Sequence, residues 1–361
     1  MTGVRQFPCV KCGAKVEFAP GKDALQCPYC GHETHIPVST DGVEEHEYLA
    51  AAAADIGEGA ETEEVMSVQC RSCAALVEPS PSHTAFPCPY CGSSIVATEK
   101  SQRLIKPQAL LPFRIERDKA TGLFRTWIKK LWFAPDALKK LARLDGRLQG
   151  LYAPYWTYDA DTVSRYTGQR GDNYTVTRTR TVQRDGKSVT ETYQATEIRW
   201  RSARGTVSRD FDDMLVVGSE SLPRELAEAL EPWDLGNLVT YADEYLSGFT
   251  AERYQIDVRA GWVRGQERMD TVIRQDVKRD IGGDHQRIRT LETRHSSITF
   301  KHVLLPMWIC SYRYREKIYR FLVNARTGEV QGQRPWSWVK ITLTALSVAA
   351  VVFMLYTYFN Q

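Results

Sequence analysis

A chain of 361 residues, 43% hydrophobic and 25% charged, has the composition of a globular protein and length for about two to three domains. Its net charge of +3 hides an uneven distribution: residues 1–100 carry 6 Lys/Arg against 14 Asp/Glu, and nine of those carboxylates fall in Asp41–Glu64, which has no Lys or Arg. Its nine cysteines do not read as a secreted disulfide framework, because MTGVRQFPCV lacks the apolar core of a signal peptide and eight of the nine stand in CxxC pairs, whose free thiolates need a reducing compartment.

The N-terminal third is a duplication. Cys9–Gly31 aligns without gaps on Cys70–Gly92, keeping Ala14/Ala75, Val16/Val77, Glu17/Glu78, Pro20/Pro81 and the whole Cys-Pro-Tyr-Cys-Gly box. The first copy reads Cys9-x2-Cys12-x14-Cys27-x2-Cys30 and the second Cys70-x2-Cys73-x14-Cys88-x2-Cys91. Zinc takes four soft ligands in a tetrahedron, and two knuckles joined by a short hairpin supply them. Glycine after the second cysteine of a knuckle lets the backbone turn and aim amides at sulfur; Gly13, Gly31 and Gly92 provide it, and Ala74 departs from it. The expectation is two structural Zn2+ ions, with metal binding supplying the stability that such small modules lack. Cys-Pro-Tyr-Cys is also a glutaredoxin-type redox box, and four thiolates also suit a rubredoxin-like iron. The second CxxC upstream of each box favours structural zinc. His32, His35 and His83 lie nearby, but four thiolates already fill each site. Between the copies, Asp41–Glu64 reads as a solvated acidic linker, with a short helix over Tyr48–Asp55 as its one structural candidate.

Residues 101–150 are basic, 12 Lys/Arg against 4 Asp/Glu. Leu123, Phe124, Trp127, Ile128, Leu131 and Trp132 fall at helical spacing within Asp118–Phe133. Ala134-Pro135 breaks that helix, and Pro135 suits the first turn of another running through Leu144. The basic segment is read as docked on the body, with the anionic inner leaflet or nucleic acid as its candidate partners. From Leu151 to about Val217 the pattern is that of strands, with Asp185-Gly186 as a hairpin turn. Helix is expected at Leu222–Leu230 and over Ala251–Ile281, interrupted at Gly261 and Gly265. Strands return over Ile298–Gln331, around a tight turn at Asn324–Gly328. Ala153-Pro154-Tyr155-Trp156 resembles Leu305-Pro306-Met307-Trp308, a sign of an old duplication in the body. Cys310, alone in an apolar strand, reads as core.

Ile341–Phe359 holds 19 residues without a charge. At 1.5 Å per residue they span about 28 Å, against a hydrocarbon core of about 30 Å. Trp336 and Trp338 at one end and Tyr356 and Tyr358 at the other sit as interfacial aromatics do. Arg334 and Lys340 before the helix keep residues 1–340 in the cytoplasm by the positive-inside rule. Catalytic constellations are thin. Gly186-Lys187-Ser188 mimics the end of a Walker A loop, yet Thr181 stands where its first glycine belongs. No HExxH or GxSxG occurs, and His285, His295 and His302 have no nucleophile at a known spacing.

The fold class expected is α+β: zinc ribbon 1 (1–38), acidic linker (39–65), zinc ribbon 2 (66–98), an α+β body (101–335) and a transmembrane helix (341–359). Leu111-Pro112-Phe113, Trp132-Phe133-Ala134-Pro135, Tyr152-Ala153-Pro154-Tyr155-Trp156, Leu305-Pro306-Met307-Trp308 and Asn324-x2-Thr327-Gly328-Glu329-Val330 follow the two ribbons in order. In this the chain resembles, over nearly its whole length, a bacterial family of membrane-anchored double zinc-ribbon proteins of unknown function. Members are often labelled primosomal protein N′ (replication factor Y) or superfamily II helicase from the zinc cysteines. With neither a Walker A loop nor a DExH box, nothing here carries the ATPase that label implies. The expected function is non-enzymatic: a tail-anchored adaptor at the bacterial inner membrane that recruits protein partners, its ribbons reaching outward on the acidic linker. The alternative is a membrane-associated nucleic-acid-binding protein linked to replication or repair, in which the basic body would have to meet the phosphate. No small-molecule substrate is evident.

Overall fold

A computed structural model describes residues 7–37, 42–43, 45–48, 62–70, 72, 76–77, 85–88, 90, 93–96, 100–135, 148–184, 187–314 and 317–359. The first cysteine module carries β1 (Glu17–Ala19), β2 (Ala24–Gln26) and β3 (Glu33–His35), paired in that order. Beyond it come β4 (His46–Glu47), β5 (Thr62–Gln69), β6 (Leu76–Val77), β7 (Ala85–Pro87), β8 (Ser94–Val96) and β9 (Lys100–Ile105). The body has β10 (Ala109–Leu110), α1 (Arg117–Lys130), β11 (Gln149–Arg184), β12 (Lys187–Val217), α2 (Arg224–Glu228), β13 (Val239–Thr240) and β14 (Thr250–Ala251). It continues with α3 (Val258–Ile281), β15 (His285–Tyr314), β16 (Lys317–Asn324) and β17 (Val330–Gly332), before α4 (Trp338–Phe359). The architecture is mixed helix and sheet, ending in one long apolar helix.

The body is built around the antiparallel pair β11–β15, and the weak sequence repeat lies at its centre. Ala153 pairs with Leu305, so equivalent residues of the two copies face each other across a pseudo-twofold axis. The hydrogen bonds obey that symmetry. Trp156 Nε1 donates to Ile256 O and Trp308 Nε1 to Ile115 O, each at 2.8 Å, and each acceptor lies two residues before a helix. Gly218 N donates to Pro154 O at 2.9 Å, and Ala325 N to Pro306 O at 3.1 Å. Ile256 N bonds Gly218 O and Ile115 N bonds Ala325 O. β14 runs parallel to β11, and β10 parallel to β15. Each half therefore reads short strand, helix, long strand, return strand.

Side chains alternate across the central pair, giving it two apolar faces. Tyr152, Leu304 and Trp308 pack with α1 and with Cys9 and Cys27 of the first module, and Trp156 on the same face packs with α3. Ala153, Tyr155, Leu305 and Met307 form the opposite face, covered by Ala227 and Leu230 and by Cys70, Cys88 and Tyr90 of the second module. With apolar layers on both sides, the strands need the continuous hydrophobic runs they carry near 151–156 and 303–310.

Several expectations change on contact with the structure. α3 is unbroken from Val258 to Ile281. A Cβ on Gly261 would run into Tyr158 Oη and sit 3.0 Å from Trp156 Cδ1, and one on Gly265 would touch Tyr158 at 3.4 Å. Those glycines admit the aromatic side chains of β11 and do not interrupt the helix. β15 begins at His285, not Ile298. Thr167 pairs with Thr290 but Gly168 with Ile288, and Asp161 with Ser296 but Asp159 with Thr299, so β15 carries one extra residue at Arg289 and another at Ser297–Ile298. Each shifts the alternation by one, the second where the expected strand begins. α1 ends at Lys130, and Trp132 lies outside its buried face. The acidic linker is not solvated throughout: β4 pairs with Thr299 and Phe300, and Tyr48 is buried against Tyr158 and Trp262. Residues 49–55 of the expected linker helix, 136–144 of the helix expected after Pro135, and Asp185-Gly186 lie outside the described residues. Arg184 pairs with Lys187 on either side of that turn.

Candidate metal centre

In the first module the β1–β2 hairpin brings two knuckles together. Gly13 (φ +75°) donates its N–H to Cys9 O at 2.8 Å, and Gly31 (φ +70°) donates to Cys27 O at 3.0 Å. The left-handed backbone at both positions explains glycine there. The turns converge the four sulfurs. Cys9 Sγ lies 3.6 Å from Cys30 Sγ, Cys12 Sγ lies 3.5 Å from Cys27 Sγ, and all four fall within 4.8 Å of one another. A zinc ion with Zn–S near 2.3 Å has sulfur–sulfur edges of about 3.8 Å, so the set fits a tetrahedral ion. Backbone amides favour thiolate. The N–H of Cys30, followed by that of Tyr29, brings Cys27 down to about 7 against the opposing effect of burial. Burial pushes Cys9 up, but the amides of Lys11 and Cys12 outweigh it and leave the thiol below its ordinary value. Cys12 lies at about 12: the Ala14 amide pulls it down, yet the thiols of Cys27 and Cys30 crowding it prevail. Cys12 held high beside Cys9 and Cys27 held low is what closely packed thiols do without a cation. A divalent ion removes that mutual repulsion, and all four thiolates would then be ligands.

The centre is fixed to the body. Phe18 N donates to Ser247 O at 2.9 Å, Ser247 Oγ to Val16 O at 2.7 Å, and Gly21 N to Phe113 O at 2.9 Å. The Phe18 ring meets Tyr245 at 5.3 Å and Phe249 at 6.3 Å between centroids. Outward, the knuckles present Val10, 79% exposed, and Tyr29, 83% exposed.

In the second module Cys70 and Cys88 are buried, whereas Cys73 and Cys91 lie outside the described residues. The four-cysteine cluster seen among the described residues is therefore that of Cys9, Cys12, Cys27 and Cys30. Tyr90, the counterpart of Tyr29, is 0% exposed. Its carbonyl accepts from Ser311 Oγ and, at 3.0 Å, from Arg320 Nε, which docks this knuckle on β15 and β16. Cys310 is buried nearby, as expected for a core residue.

A second cluster of potential ligands, Asp159, Asp212 and Asp213, is invisible in the sequence, where Asp159 is 53 positions from Asp212. It sits at a bulge between Tyr158 and Ala160, with Asp213 at φ +53°. A cation already occupies it: buried Lys301 Nζ lies 2.7 Å from Asp213 Oδ1 and 2.9 Å from Glu45 Oε1. Burial works against that ammonium, but the hydrogen bonds to Asp213 and Glu45 prevail and raise its pKa. This is an internal ion-pair network that ties the acidic linker to β15.

The C-terminal helix α4 is 22 residues long with none buried, which makes it long and apolar enough to cross a membrane.

The chain is 26% identical over 264 residues to the uncharacterized protein YdjG of Bacillus subtilis (strain 168), an alignment that covers 73% of each chain. No family model matches it, and no solved structure does.

Proposed function

We propose that this chain is a non-enzymatic, tail-anchored zinc-ribbon protein that recruits a protein partner to the cytoplasmic face of the bacterial inner membrane. The observation that carries the reading is the opposite placement of one residue in a duplicated box. Tyr90 is wholly buried against the body, while Tyr29, at the same point of the first copy, stands almost fully exposed, as does Val10 of the other knuckle. An aromatic ring on a stiff, metal-clamped turn is the kind of side chain that anchors protein interfaces, because little conformational freedom is lost on binding. Each module holds one structural Zn2+, through Cys9, Cys12, Cys27 and Cys30 and through Cys70, Cys73, Cys88 and Cys91. Four thiolates leave no open coordination position for catalysis. The reducing side of the membrane suits those thiolates, and Arg334 and Lys340 hold the body on that side. The order of parts supports kinship with the membrane-anchored double zinc-ribbon proteins.

The test is a pull-down of the full chain from detergent-solubilised membranes, beside Tyr29→Ala. A protein recovered with the wild type and lost with the variant is expected. Recovery of nuclease-sensitive nucleic acid in its place, unaffected by Tyr29→Ala, overturns the reading in favour of a nucleic-acid-binding protein.

A further inference from the structure

The start of α4 is clamped to the body. Ser337 N donates to Phe133 O at 2.8 Å, and Lys340 Nζ donates to Ala134 O at 3.0 Å. The Phe133 and Trp336 rings lie 6.5 Å apart, with the Arg334 guanidinium 4.4 Å over Trp336. The turn that closes α1 is thus held beside the last residues before the uncharged span. Its packing is one-sided: Leu131 and Ala134 are buried, while Trp132 between them is 71% exposed. Lys129 and Lys130 just before it are exposed too.

We propose that the turn Leu131–Ala134 is a second membrane contact, with Trp132 seated among lipid headgroups and flanked by Lys129 and Lys130 facing the phosphates. This rests on the reading of α4 as a membrane anchor and adds that the body is held flush against the bilayer. Lys340 immediately precedes the uncharged span and so marks the level of the membrane surface. The Ala134 carbonyl is within hydrogen-bonding reach of its ammonium, and Trp132 is two residues from Ala134, a chain reach of about 7 Å. With the ordinary helix tilt of about 20°, a point 10 Å from the helix axis shifts in depth by only about 3 Å. The interfacial zone on each side of a bilayer is roughly 5–8 Å deep, so Trp132 falls within or at its edge. Tryptophan prefers that zone, because its ring is apolar and its N–H still finds a polar partner. Lysines beside it are attracted to anionic lipid.

The experiment uses the full chain labelled with 5-fluorotryptophan in phosphatidylcholine–phosphatidylglycerol vesicles. Trp132→Phe, Trp338→Phe and Trp200→Phe assign three fluorine resonances by their disappearance. Lipid carrying a nitroxide near the headgroup should erase the Trp132 and Trp338 resonances and spare Trp200, in the body. A water-soluble gadolinium chelate should erase Trp200 before either. If nitroxide lipid erases Trp338 alone and the chelate erases Trp132 as readily as Trp200, the anchor stands and the second contact does not. Trp132 shielded from both reagents means that protein covers it, which also overturns the proposal. Should Trp338 itself escape the nitroxide lipid, the anchor reading fails and this inference fails with it.

Discussion

Tyr29 and Tyr90 occupy one place in two copies of a module, and their surroundings predict opposite responses to the same substitution. Tyr90→Ala empties a fully buried aromatic site and loses its contacts with the body, so a cost of roughly 3 kcal/mol is expected. Tyr29→Ala removes a side chain in solvent and should shift stability by no more than about 0.5 kcal/mol. Denaturant midpoints of the full chain in detergent check both. His302 gives a second test, through pH. It is buried between Trp156 and Tyr254, with Nδ1 3.0 Å from Ile105 O, and burial pushes it down to about 3. In the unfolded chain the imidazole titrates near 6.5. Below about pH 6.5 the unfolded state therefore binds a proton that the folded state refuses. Stability falls as pH falls from there to about 3, by up to roughly 1.4 kcal/mol per pH unit from this residue. Urea titrations at successive pH values should show a flatter acid limb in His302→Gln by about one proton.

At the scale of elements, two helical glycines separate propensity from packing. At Gly122 in α1 an added Cβ would meet nothing within 4 Å, so Gly122→Ala should stabilise by up to about 1 kcal/mol. Gly261 in α3 is opposed by Tyr158 and Trp156, and the overpacking in Gly261→Ala should cost about 1–3 kcal/mol and outweigh the gain in helix propensity. Thermal melts of the two variants should move in opposite directions. The same pair explains what the sequence can and cannot disclose. α1 is legible because Phe124 and Ile128 repeat at helical spacing on a single buried face, and α4 because nineteen residues lack any charge. The Cys9–Cys30 cluster is legible because its chemistry is local: two knuckles and a hairpin fix it. α3 reads as broken because glycine made for a neighbouring ring looks like glycine made for a turn. The first part of β15 escapes the pattern because bulges at Arg289 and at Ser297–Ile298 reset the alternation. Nothing local distinguishes Tyr29 from Tyr90, since burial of the latter depends on Ser311 and Arg320 more than 200 residues away.

For the whole molecule, the described parts of both cysteine modules pack into the body's core and are not pendants on a linker. The full chain purified under reducing conditions should carry two zinc ions, and Cys12→Ser should lower elemental zinc to one. Because Phe18 packs on Tyr245 and Phe249, that loss should also speed amide exchange across residues 245–249, far along the chain from the substitution. Unchanged exchange there, with zinc lost, would show that the module's packing does not depend on its metal. Deleting Trp338–Gln361 should release a protein that stays in the supernatant after high-speed centrifugation with its zinc retained. A wild-type chain equally soluble would remove the case for α4 as an anchor.

The direction of the strands gives the molecule a length scale. β17 runs from the level of Val323 to that of Phe321 and on toward α4, away from the end of the sheet where β11 and β12 continue alone. Beyond the pair Gly171–His285 those two strands have no third partner among the described residues, and they continue to Arg184 and Lys187. From the symmetry centre at Ala153 to Arg184 is 31 residues, a contour of about 100 Å at roughly 3.3 Å per residue. With α4 in a bilayer, that ribbon is a mast raised from a body that the bonds of Lys340 to Ala134 and of Ser337 to Phe133 hold to the anchor. Its top is carried away from the lipid surface, while Tyr29 stays low, in a module whose Cys9 and Cys27 pack with Tyr152 and Trp308 at the ribbon's base.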